Sequence, residues 1–115
     1  LFMAEFTLTV FAPKVAARSD AYGTAACLTR SVNELVLALF ALNRKYPIND
    51  KTVLAEVAEF EFAPRDFQGR VQQTLGHPGT TSGELVAAVE SITHLLEETL
   101  VLANSLYQSR FTLPK

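Results

Sequence analysis

A chain of 115 residues, 49% of them hydrophobic and 19% charged, is sized for one globular domain with a single core, and is small for an enzyme that must also build a deep cleft. Its formal net charge of -2 and the lack of a polybasic tract exclude a general attraction to nucleic acid or to an anionic membrane. A single cysteine, Cys27, excludes an internal disulfide framework and fits a reducing compartment, so a cytoplasmic location is expected.

The first residues carry no basic leader and their apolar run breaks at Glu5, which does not read as a signal peptide. The chain opens in mid-pattern without methionine, as a piece of a longer protein would. From Phe2 to Ala17 two periods compete. Phe6, Leu8 and Val10 alternate with Thr7 and Thr9 as in a strand, while Phe2, Phe6, Thr9 and Val10 share one helical face. Helix is the expected state, because Ala16-Ala17-Arg18 favours it and no second strand candidate exists to pair with the first. Pro13 marks a kink or a restart.

Ser19-Asp20 offers a cap for a helix from about Asp20 to Tyr46, ended by Pro47. Its middle, Leu35 to Leu42, is apolar at every position, which predicts a central helix enclosed by other elements. That run covers only about 12 Å as helix, far short of a hydrocarbon core of roughly 30 Å, and is not expected to span a membrane. Asn49-Asp50 can cap a short helix from Lys51 to Glu59 with Val53, Leu54 and Val57 inward. Ala63-Pro64 then predicts a further helix through Leu75, with proline in its first turn and Phe67, Val71 and Leu75 inward.

Gly76-His77-Pro78-Gly79-Thr80 is a turn. The last helix begins at Thr81, whose spacing to Glu84 is a capping box, and runs to about Tyr107. Its inward stripe is Leu85, Val89, Ile92, Leu96, Leu100 and Ala103, with Glu90, Glu97 and Glu98 toward water. The expected fold is all-α: one domain, an up-and-down bundle of four to five helices around a buried central helix.

The residues that could carry chemistry are few. His94 has Glu90 four residues before it and Glu97 three after, which fits a surface ion pair better than a metal site needing three or more convergent ligands. Cys27 lies in an apolar context that favours packing over reactivity. Arg70 and His77 match the Arg-x(4–6)-His spacing of the HEPN ribonucleases, whose two side chains meet at a dimer cleft and act on RNA. The alternative is a solvent arginine and a turn histidine.

A polar cluster, Asn43, Arg44, Lys45 and Tyr46, then Asn49, Asp50 and Lys51, follows the apolar run. It suits a phosphate or carboxylate, with Asn43 aimed into a half-buried pocket. Equally, the cations can complement the helix dipole and Asn49-Asp50 can cap the next helix. At the other end Asp20 can be a cap, and Arg30 can pair with Glu34 four residues on.

Ala17-Arg18-Ser19-Asp20, Cys27-Leu28-Thr29-Arg30, Leu39-Phe40-Ala41-Leu42-Asn43-Arg44-Lys45-Tyr46 and Asn49-Asp50-Lys51 together resemble the helical C-terminal half of bacterial nucleotidyltransferase-domain proteins of the polymerase β-like superfamily, kanamycin nucleotidyltransferase type. Phe67-x-x-Arg70-Val71 and Gly83-Glu84-Leu85 fit the pattern more loosely. The sequence departs from it at Ser19, where glycine is expected.

The resemblance implies a substrate-binding or accessory domain. Asp20, Arg30, Asn43, Arg44, Tyr46, Asn49 and Lys51 would face the nucleotide or acceptor, and the nucleoside triphosphate and magnesium would belong to a catalytic domain on the same or a separate chain. This chain holds no Gly-Ser with paired aspartates, so neither cofactor nor catalytic residue is expected within it. The alternative function is a structural module that pairs with itself or a partner chain. Eight phenylalanines are many for one small core to hide, and a homodimer would cover them.

Overall fold

The computed structural model describes residues 2–48 and 51–111, and every regular element among them is helical. We number five helices. The first, α1, is one rod in three successive pieces: Phe2–Phe6, a π-helical stretch Thr7–Phe11, and Ala12–Ala17. Then follow α2 (Ala21–Leu42), α3 (Val53–Ala58), α4 (Phe67–Gly76) and α5 (Ser82–Phe111). The fold is the expected all-α bundle. The long helices α1, α2 and α5 pack on one another, α3 and α4 pack together against α2, and α4 also packs on α5.

Pro13 explains the irregularity of α1. Its ring and missing N–H disturb the turn reaching back to Thr9, and the helix widens locally instead of breaking, with the Ala12 N–H donating to Thr7 O five residues back. The buried residues of α1 include Ala4, Leu8, Ala12 and Ala16, an exact four-residue repeat. Such a repeat drifts by about 40° per step on a regular helix, and the wider π turn takes up part of that drift. Three alanines on this stripe let the rod approach α2 and α5 closely. Of the helical face shared by Phe2, Phe6, Thr9 and Val10, Phe6 and Thr9 are exposed and Val10 is half-buried, and the Phe2 side chain lies outside the described residues. Phe6 instead meets Phe11 edge-on at 5.2 Å on the surface.

Helix α2 buries Leu28, Val32, Leu35, Val36, Leu39 and Phe40, the inward face of a rod of 22 residues. It is long and apolar enough to cross a membrane, with a mean hydropathy of 1.5, a test that the core helix of a bundle also passes. It is not enclosed on every side, as the apolar run had implied: Leu37 is 57% exposed and Ala41 is exposed. The rod also ends at Leu42, four residues before Tyr46.

Helix α3 starts at Val53 behind Thr52, and the expected Asn49-Asp50 cap lies outside the described residues. Helix α4 starts later than Pro64 had implied. Pro64 is buried before the helix, whose N-cap is Asp66 in the left-handed region at φ 51°. Phe67 and Val71 are buried as expected, with Leu75 half-buried. The Thr81–Glu84 capping box forms: Thr81 Oγ1 accepts from Glu84 N and Glu84 Oε1 accepts from Thr81 N, each at 3.2 Å. Leu95 and Thr99 are buried beside the expected stripe of α5, because this helix meets α1, α2 and α4 on a face wider than one seam. Glu98 does not face water freely. It is half-buried against Arg70 of α4.

Candidate functional site

The C-terminal end of α2 is shaped by one backbone device. Arg44 takes φ 56°, its N–H donates to Ala41 O at 3.1 Å, and Lys45 N–H donates to Phe40 O at 2.9 Å. These paired reversed bonds form a Schellman motif. It satisfies carbonyls that the helix would otherwise leave open and turns the chain out of the rod.

Asn43 fixes that turn to the rest of the fold. Its Oδ1 accepts from Phe62 N at 3.0 Å, and its Nδ2 donates to Phe62 O at 2.8 Å and to Leu39 O at 2.7 Å. The partner sought for Asn43 is thus the backbone of the segment between α3 and α4. Phe60, two residues before Phe62, packs edge-on against Phe40 at 4.8 Å.

Beyond this anchor the chain projects. Arg44, Lys45, Tyr46, Pro47 and Ile48 are all exposed, Tyr46 and Ile48 to 89%. Among the described residues no hydrogen bond or ion pair engages the side chains of Arg44, Lys45 or Tyr46. Lys51 is exposed on the far side of the turn, and Asn49 lies outside the described residues. The tip therefore combines cations, an aromatic ring and an aliphatic side chain on a turn that is rigid at its base.

The other expected site residues lie elsewhere. Asp20 sits at the opposite end of α2, about 33 Å from Asn43 along a rod of 22 residues. Its Oδ1 accepts from Gly23 N at 2.8 Å, so it is the N-cap. A Cβ on Gly23 would stand 2.5 Å from the same carboxylate, which accounts for glycine inside a helix. Arg30 turns to Cys27, its Nη2 donating to Sγ at 3.7 Å, and does not pair with Glu34, whose Oε1 accepts from Met3 N at 3.2 Å. Asp20 and Arg30 are separated by nearly three turns, and their side-chain bonds go to Gly23 and Cys27, not to the tip.

A second polar region, unassigned by the sequence apart from the Arg70/His77 spacing, lies between α4 and α5. A cleft of about 520 Å³ there has Arg70, Gln73, Thr74, His77, Glu84, Ser91 and His94 among its lining residues. Both histidines of the chain border it. Arg70 and His77, the pair with ribonuclease-like spacing, therefore do share a cleft, although Arg70 is held in a forked pair by Glu98, with Nη1 to Oε1 at 2.9 Å and Nη2 to Oε2.

That pair keeps the Arg70 guanidinium charged and holds Glu98 below the usual carboxylate range, chiefly through the hydrogen bonds between them. Glu84 is likewise held low, by the backbone N–H groups of Thr80 and Thr81 and then the Thr81 hydroxyl. His94 Nδ1 stands 3.2 Å from Glu97 Oε1, the surface pair expected of it. Among the described residues no group of three His, Cys, Asp or Glu side chains is placed to hold a metal ion.

Comparison with known proteins gave no relative: no family model, no curated sequence and no solved structure matches the chain.

Proposed function

We propose that the chain is a helical substrate-binding or accessory domain of a nucleotidyltransferase-like protein, and that the Arg44–Lys51 tip meets the catalytic half or the substrate it holds. One observation carries this reading: Arg44, Lys45, Tyr46 and Ile48 project into solvent from a turn that Asn43 anchors by three hydrogen bonds. A rigid base beneath exposed cations and an exposed ring suits recognition of a phosphorylated ligand or an acidic surface, because little ordering cost remains at binding.

In this reading Asn43 positions the tip, while Arg44, Tyr46 and Lys51 touch the ligand. Asp20 and Arg30 belong to the construction of α2. Nucleoside triphosphate and magnesium are held by the catalytic half. The test is Arg44→Ala with Lys51→Ala in the parent protein, which should weaken nucleotide or acceptor binding about tenfold or more while the thermal midpoint stays put. Unchanged affinity removes the assignment.

A second reading, an HEPN-like ribonuclease, draws support from Arg70 and His77 bordering one cleft. It requires RNA cleavage that disappears in His77→Ala, and cleavage that survives this substitution dismisses it.

A further inference from the structure

We infer that the α4/α5 cleft is a binding site for a small phosphate monoester, gripped by Arg70, His77 and His94. This rests on neither reading above. The cleft, of about 520 Å³, falls in the range of small-molecule sites, which runs from roughly 300 to 1,000 Å³.

The hydrogen-bonding balance of its wall points to an acceptor-rich ligand. The carboxylates on or beside its wall, Glu84, Glu98 and Glu97, are already engaged, Glu97 with His94 Nδ1 at 3.2 Å. Glu84 Oε1 takes the N–H groups of Thr80 and Thr81, each at 3.2 Å, and the Thr81 hydroxyl at 3.0 Å. Glu98 is taken up by Arg70. What remains around the cleft is a set of groups able to donate: Gln73, Thr74, two imidazoles and the unspent part of Arg70, the Ser91 hydroxyl being already given to Ala87 O at 3.1 Å.

That unspent part is specific. Nη1 gives one N–H to Glu98 Oε1 and the other to Arg65 O at 3.0 Å, and Nη2 gives one to Glu98 Oε2. The second Nη2–H and Nε–H lie side by side on one edge of the guanidinium, with no acceptor among the described residues. Such an edge matches two oxygens of a phosphate, and the salt bridge behind it fixes the plane of the fork. The imidazoles stand on two different elements. His77 closes α4 and His94 lies within α5, so a ligand between them would tie the two helices together. The donor set suits an oxyanion, whereas a metal ion would call for the convergent carboxylate and histidine ligands that this region lacks.

The test uses the chain's two histidines, whose imidazole proton resonances are individually assignable. Inorganic phosphate, then a nucleoside monophosphate, is titrated at constant ionic strength and pH with chloride as the control anion. The inference predicts saturable movement of both His77 and His94 with one shared midpoint, tighter for the monophosphate ester. Arg70→Lys should weaken that midpoint about tenfold by removing the fork. His77→Asn and His94→Asn, at exposed positions where folding is not at stake, should each weaken it several-fold. Arg44→Ala with Lys45→Ala should leave it unchanged, which separates this site from the tip. Linear, unsaturable shifts, movement of one histidine alone, indifference to the three cleft substitutions, or loss on substituting the tip would each overturn the inference.

Discussion

The two ends of α2 are built by the same local device and put to opposite uses. At the entrance, Ser19 takes φ 59°, its N–H donates to Ala16 O at 3.0 Å and Asp20 N–H donates to Val15 O at 2.9 Å. At the exit, Arg44 and Lys45 repeat that pattern on Ala41 and Phe40. Both are Schellman turns with a residue other than glycine in the left-handed position, which costs about 1 kcal/mol or somewhat more. At the entrance Asp20 is at once the end of one motif and the cap of the next helix, so the polar groups are consumed in joining α1 to α2. At the exit Asn43 ties the turn to the Phe62 backbone, and Arg44, Lys45 and Tyr46 after it stay exposed. Similar sequence chemistry is thus structural where the next helix follows at once and available where a loop intervenes.

The sharpest way to break this contrast is to remove its anchor. Asn43→Ala strips both bonds to the Phe62 backbone in a half-buried setting and should destabilise the domain by about 2 kcal/mol, read as a shift in the urea midpoint. A change below half that size would mean that the exit turn is held by something else. Asp20→Ala, at the entrance, should cost about 1 kcal/mol through the lost cap to Gly23. Ser19→Gly relieves the left-handed strain and should stabilise by a little under 1 kcal/mol, visible as a raised thermal midpoint. Tyr46→Ala should move stability by less than about 0.5 kcal/mol, since the ring is solvated.

Acid offers a separate check on the α4/α5 side. Glu84 and Glu98 are both held below the ordinary value of 4.5, so each contributes stability that is fully present above that pH and is lost as pH falls through the depressed folded value. The stability difference between wild type and Glu98→Gln should therefore be largest near neutrality and shrink below about pH 4. For so exposed a pair it should stay within about 1 kcal/mol.

Much of the fold was legible in the residues because its signals are local. Thr81-x-x-Glu84 specified the start of α5 to the residue, and the Leu85, Val89, Ile92, Leu96 spacing specified its buried face. What failed to show was tertiary or conformational. Nothing local distinguishes Phe6 from Leu8 as the buried member of α1, because the choice depends on the π turn ahead of Pro13 and on how closely three alanines let the helices approach. The early end of α2 depends on Phe62, distant in sequence, bonding Asn43. Ser19 takes positive φ, where glycine would be the ordinary residue, and nothing in the local residues marked the position as left-handed. In the candidate site, the charged tip was visible as a run of polar residues after an apolar one. Its separation from Asp20 and Arg30 was legible too, since a single helix from Asp20 toward Tyr46 sets them at its other end. The cleft was visible only as the spacing of Arg70 and His77, since His94 joins them through packing.

The most direct measurement is backbone hydrogen exchange, comparing this domain alone with the domain joined to the catalytic half proposed for it. The proposal predicts slowed exchange at Arg44, Lys45, Tyr46 and Ile48 in the joined protein, with Ser19 to Gly23 exchanging at the same rate in both. Equal exchange at the tip, or protection confined to the Ser19–Gly23 end, would contradict it.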